Sequence, residues 1–200
     1  MPIRIASKSV RCEFVLNYIL ESDKQFQGLM CYHSAEAAYL ANKGFDDLLI
    51  AYPTMDRHGI NSALEQVAKG KSIYFMVDCF EQAALVNQLA KDAGVIAKLC
   101  IDLDMSVKFP GLYFGVYRSP VRNAEDAVKV YQQIKSLKNV RLCALMGYEA
   151  QIAGLGDQLP DKALEGHVVK RLKDRTIPII AKRREETVFA LKNEGAEFEL

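Results

Sequence analysis

Residues 3–10 read "IRIASKSV", and the fold turns on how this stretch is read. Strand alternation puts Ile3 and Ile5 on one face and Arg4, Ala6 and Lys8 on the other. Lys8 stands where such a strand should end. In a parallel sheet covered by helices both faces are buried, so the two cations point into an interior. An unpaired ammonium there is costly or loses its proton. A lysine at a strand end can also simply reach solvent.

Outward from this stretch the chain alternates strand and helix. Strands are expected at 4–7, 27–32, 46–53, 72–77, 95–104 and 140–148, and a seventh begins in "AEFEL" at 196–200. Helical patterns fall at 11–22, 34–44, 57–70, 82–94 and 123–139. Gly44 and Gly70 close two of these helices, and Asn123 suits an N-cap. Asp78 with Glu81 fits a capping box, so Asp78 reads as a helix cap rather than a catalytic acid. A Gly-containing loop is expected from 149 to about 166, then two helices interrupted by Pro178. Regular β-α units without a Gly-rich dinucleotide fingerprint predict an α/β fold, a (β/α)8 TIM barrel, here with about seven strands. Active sites of such barrels lie at the C-terminal ends of strands, where Lys8 falls.

Composition narrows the function. The chain has 200 residues, half of them hydrophobic, with a net charge of +1. That fits one domain, 1–200, and gives no sign of nucleic acid or a charged membrane as partner. No apolar run reaches membrane-spanning length, and "MPIRIASK" lacks the apolar region of a signal peptide. Five widely spaced cysteines without C-x-x-C, and three isolated histidines, read as reduced thiols of a cytoplasmic protein with no metal site.

"RIASKSVRC" resembles the first-strand motif R-P-H-x-K-T-H-K-C of the D-threonine aldolase and D-serine dehydratase family, with Arg4, Lys8, Arg11 and Cys12 in register. "GLMCYHSAEAAYLANKGFDDLLIAYP", "VDCFEQAALVNQLAKDAG", "IDLD" and "LMGYEAQIAG" are similar to later segments of that family. The resemblance is closest to the amino acid deaminase/aldolase branch and covers essentially the whole chain. It implies a barrel of the alanine racemase type. It implies pyridoxal 5'-phosphate (PLP) as cofactor, held at Lys8 by a Schiff base, and a D-amino acid of the D-threonine or D-serine kind as substrate. The implied reaction is aldol cleavage or β-elimination, with racemisation left open, and Lys8 serves as base or acid once freed.

Further candidates follow from the same segments. Asp102 and Asp104 share a strand face; as a D-x-D pair they are a weak metal signal, and they read rather as bonding loop backbone or, in Asp104, the cofactor. The family often carries an arginine after this strand; Lys108 or Arg118 is left to supply that cation. Tyr148 stands where many relatives have a histidine near the cofactor ring, and it reads equally as a core tyrosine. Gln151 is a cofactor-binding candidate and Glu149 a weaker one, whereas Arg141 reads as a structural cation. Lys182, Arg183 and Arg184 read as a solvated helix face. The family's Gly-rich phosphate loop would follow the seventh strand, and its C-terminal β-domain carries a divalent metal. The expectation is therefore a truncated piece of the enzyme that alone is unstable or oligomerises, for instance as a homodimer, and has little activity. The alternatives are a non-catalytic PLP-binding or homeostasis protein and a decayed pseudoenzyme.

Overall fold

The computed structural model describes residues 2–156 and 163–199. Six strands form one parallel sheet: β1 (Ile3–Ala6), β2 (Phe26–Cys31), β3 (Leu48–Ile50), β4 (Ile73–Val77), β5 (Ala97–Leu103) and β8 (Val140–Gly147). They neighbour one another in chain order, as in the wall of a barrel, and the sheet is not closed. Helices α1 (Glu13–Ser22), α2 (Ser34–Asn42), α3 (Arg57–Ala68), α4 (Phe80–Asp92) and α5 (Ala124–Ile134) connect them, with the short α6 (Ala150–Ala153) and the long α7 (Ala163–Asn193) after β8.

Strand alternation sorts the core into two layers. Ile5, Leu29, Leu48, Phe75 and Ile101 face the helices and join the larger apolar cluster. Leu49, Tyr74, Met76, Cys100 and Ala144 face the opposite way and form a smaller inner cluster. Registers Ile5↔Leu29 and Ala6↔Met30 put Ile5 on the helix side and Ala6 on the inner side. The inward placement of Arg4 is satisfied locally: its guanidinium makes a bidentate ion pair with Asp47 at 2.8 and 2.9 Å.

Helix ends follow the sequence closely. Asn123 Oδ1 accepts from Asp126 N at 2.9 Å, and Asp56 caps α3 through His58 N and Gly59 N. Gly44 and Gly70 have φ of +102° and +92°, the left-handed closure that a side chain resists. Three expectations need correction. Asp78 is not a cap: α4 begins one residue later than a cap at 78 allows, with Cys79 at the N-cap, and the Gln82 side chain accepts from Asp78 N at 2.8 Å. The segment after β5, for which sequence reading assigns no element, is also structured. It folds into a hairpin of β6 (Val107–Phe109) and β7 (Leu112–Phe114) around Pro110-Gly111. Pro178 does not interrupt α7, because it lies on the exposed side where the carbonyl of Asp174 can bond water. Residues 196–199 are not a seventh strand; their link to β8 is one main-chain hydrogen bond, Glu199 N to Cys143 O at 2.7 Å. Part of the expected loop, residues 157–162, lies outside the described residues.

Candidate functional site

Lys8 sits not on β1 but in the single 3₁₀ turn Ser7–Ser9 that follows it. The turn is pinned by buried Ser7, whose hydroxyl donates to Met30 O at 3.1 Å or to Glu36 Oε1 at 2.8 Å. Glu36 in turn accepts from Tyr32 N at 2.6 Å, tying the ends of β1 and β2 to the start of α2. Lys8 is left exposed between two hollows. One is a cavity of about 210 Å³ on the inner face, walled by Met30, Tyr52, Arg118, Met146 and Tyr148. The other is an open cleft of about 770 Å³ along α1 and α2, reached also by Cys12 and His33. Of the two settings open to this lysine, the structure gives the solvent-reaching one: the strand ends before Lys8, and the turn carries it to the mouth.

The cation facing Lys8 across the inner cavity is Arg118, not Lys108. Its Nε donates to Asp102 Oδ2 at 2.7 Å and its Nη2 to Ala51 O. The rings of Tyr52 and Tyr148 flank its guanidinium at 4.6 and 5.1 Å from their centroids, within cation–π range. Nη1 has no hydrogen bond among the described residues, so both of its N–H donors are unspent. Asp102 is fully buried, and burial pushes its carboxyl up while Arg118 pulls it back. Its Oδ1 has no hydrogen-bond partner. Asp78, at the end of the neighbouring β4, is also pushed up by burial.

The remaining sequence candidates separate. Tyr148 lines the cavity with Lys8 and Arg118. Asp104 and Gln151 are not brought to that cavity. Asp104 is buried and spends Oδ1 on Ser106 N and Oδ2 on Arg118 N, each at 2.9 Å. It therefore organises the loop that delivers Arg118. Buried Gln151 donates to Met105 O at 2.6 Å. Glu149 is drawn to Arg184. Arg141 pairs with Glu199 at 2.5 Å, as suits a structural cation. Arg183 departs from the solvated-face expectation: it is half-buried and donates to Asp104 O and Ser106 O at 2.7 and 2.9 Å. Sequence reading missed Tyr52 as a cavity wall; its place right after the third strand was the available signal.

Among the described residues no group of three or more His, Cys, Asp or Glu is placed to hold a metal ion. The five cysteines are free thiols, with burial pushing Cys31 up to about 12 and Cys143 up to about 11. No helix among the described residues is long and apolar enough to cross a membrane.

Comparisons with known proteins agree with this architecture. A D-threonine aldolase from Filomicrobium marinum superposes with a TM-score of 0.77 at 16% identity, over 99% of this chain and 47% of that one. A D-threo-3-hydroxyaspartate dehydratase from Delftia sp. HT23 gives 0.67 at 17% identity, over 100% and 47%. An alanine racemase from Clostridium difficile 630 gives 0.64 at 14%, over 92% and 40%. At such identities the likeness shows the fold, and the chain spans less than half the length of these structures. Comparison with curated protein sequences gave no match. Residues 11–176, a span that starts just after Lys8, match the sequence model for the alanine racemase N-terminal domain. With most of its length inside that match, the chain belongs to the alanine racemase N-terminal domain family.

Proposed function

We propose that this chain is the cofactor-binding part of a PLP-dependent lyase acting on a small D-amino acid, by aldol cleavage or elimination of a 3-hydroxy group. The observation that carries the reading is the convergence of Lys8, Arg118 and Tyr148 on one cavity at the C-terminal end of the sheet. The residues fit the group. An exposed primary amine stands at the mouth, apolar Met30 and Met146 give a surface for a planar ring, and Arg118 keeps the Nη1 donors free for a ring or carboxylate acceptor. The names of the superposing aldolase and dehydratase favour D-3-hydroxy amino acids. Free thiols suit a reducing, cytoplasmic setting.

When bound, PLP supplies an electron sink for charge that develops on the substrate carbon. The chain's own groups do the rest. Lys8 Nζ offers the amine that captures the aldehyde and, when released by the substrate amine, holds or returns a proton at the same atom. Arg118 presents a fixed positive charge, held in direction by Asp102 and between two aromatic rings. Tyr52 and Tyr148 also shield the cavity from water, which strengthens that charge.

Mixing the protein with PLP, reducing with borohydride and mapping the adduct by mass spectrometry tests the binding. The adduct is expected on Lys8 and lost in Lys8→Ala. Labelling spread over several surface lysines, or unchanged in that variant, would sink the assignment. Turnover of D-threonine in the same preparation separates a lyase from a non-catalytic PLP-binding protein.

A further inference from the structure

A separate hollow, of about 180 Å³, lies at the hairpin and shares no lining residue with the Lys8 cavity. Three cations reach it from three separate elements: Lys108 from β6, Arg122 from the loop before α5, and Arg183 from α7. None of them meets a carboxylate side chain in an ion pair among the described residues. This contrasts with Arg4, Lys98, Arg118, Arg141 and Arg184, each of which does. The nearby acids are spent on other donors. Asp104 accepts from Ser106, Arg118 N and Ser119 N, and Asp126 accepts from Arg122's own N–H at 3.0 Å.

The three cations are also held in place. Arg183 is anchored through Nη1 alone to two carbonyls, so its Nε and Nη2 keep their donors. Burial draws its guanidinium below the ordinary value, while the charge of Asp104, which also lines the hollow, pulls it back in part. Arg122 stacks on Tyr117 at 4.2 Å, and Lys108 Nζ lies 5.6 Å from the centroid of Tyr113, its cross-strand partner. Tyr113 and Tyr117 pack edge to face at 6.4 Å. The rings restrain both cations without neutralising them. Two guanidinium groups and an ammonium around a hollow this small match an oxyanion carrying two negative charges better than one carrying a single charge.

We propose that this hollow is a binding site for phosphate, either the free anion or the phosphate group of a small monoester. Arg183 and Arg122 bind its oxygens through N–H donors, Lys108 adds a point charge, and the tyrosine rings border the group the phosphate carries.

Calorimetric titration with inorganic phosphate and with phenyl phosphate, at ionic strength held constant with chloride, tests the proposal. Saturable binding is expected with a Kd at or below about 1 mM, weakened roughly tenfold in Lys108→Gln and in Arg122→Gln. Both side chains are exposed, so these variants keep the fold, which circular dichroism checks. Arg183→Gln is expected to abolish binding, and Lys8→Ala to leave it unchanged. Tighter binding of phenyl phosphate assigns a monoester; weaker binding assigns the free anion. No saturable binding at about 10 mM phosphate, or equal affinity in the Lys108 and Arg122 variants, overturns the site. Loss of binding in Lys8→Ala would also overturn it, by moving the phosphate to the other cavity.

Discussion

Asp102 and Arg118 form a deeply buried ion pair. The aspartate side chain is 0% exposed and the arginine 12%, so the attraction acts with little screening and both charges have lost much of their hydration. Removing one partner strands the other. Asp102→Ala is expected to lower stability by about 3 kcal/mol, and Arg118→Met by a similar amount. The double variant should cost at least about 1 kcal/mol less than the two single losses added together. Urea denaturation of all four proteins measures this, and simple additivity would show that the pair is not coupled. The alternation Asp102–Leu103–Asp104 in the sequence put both acids on one strand face, and the loop-binding role follows from that. Their division of labour was hidden. Arg118 reaches Asp102 only because the chain between them turns back through a hairpin, and no local pattern encodes where such a turn delivers its last residue.

That hairpin shows what element-level reading catches and misses. Pro110-Gly111 is a turn signal, and a short apolar-polar alternation stands on either side of it. The strands on either side are only three residues each, too short for their alternation to stand out from a loop. The α-helices were legible for the opposite reason: caps and closing glycines are local chemistry. Helix α7 is intermediate. Thr176, Ile180, Thr187 and Leu191 are buried at helical spacing and make a stripe that fastens it to the rest of the fold. At 3.6 residues per turn, Pro178 lies roughly opposite this stripe, so tertiary packing carries the helix across a residue that propensity would use to end it. The local cost is still present. Pro178→Ala restores an N–H donor to the Asp174 carbonyl and is expected to raise stability by about 2 kcal/mol, read as a higher urea midpoint with an unchanged slope. A lower midpoint would mean that the proline ring itself makes a needed contact.

At the scale of the whole molecule, the open sheet presents inner-face polar groups at both ends. The C-terminal end gathers Lys8 and Arg118; the opposite end gathers Lys98, Tyr74 and Arg141 around one carboxylate, Glu199. Lys98 Nζ lies 2.7 Å and Tyr74 OH 3.0 Å from Glu199 Oε2, and Arg141 Nη2 lies 2.5 Å from Oε1. Glu199 comes from the segment that the sequence marked as a seventh strand. No strand forms there: one main-chain bond to Cys143 and this ionic clasp do the fastening in place of a ladder. The bond from Lys98 leads in holding the Glu199 carboxyl below the ordinary value of 4.5, against the effect of burial. A carboxylate whose folded value is depressed adds stability that is fully present above its unfolded value. That stability is lost as pH falls through the folded one. Glu199→Gln is therefore expected to cost about 1 kcal/mol near pH 7, a figure kept small because the clasp is partly open to solvent. The loss should shrink as pH is lowered below the ordinary glutamate value, until variant and parent melt together. Thermal melts of the two proteins from pH 7 down to the acid limit check this. A gap between them that stays constant with pH would assign the effect to packing of the segment rather than to its charge.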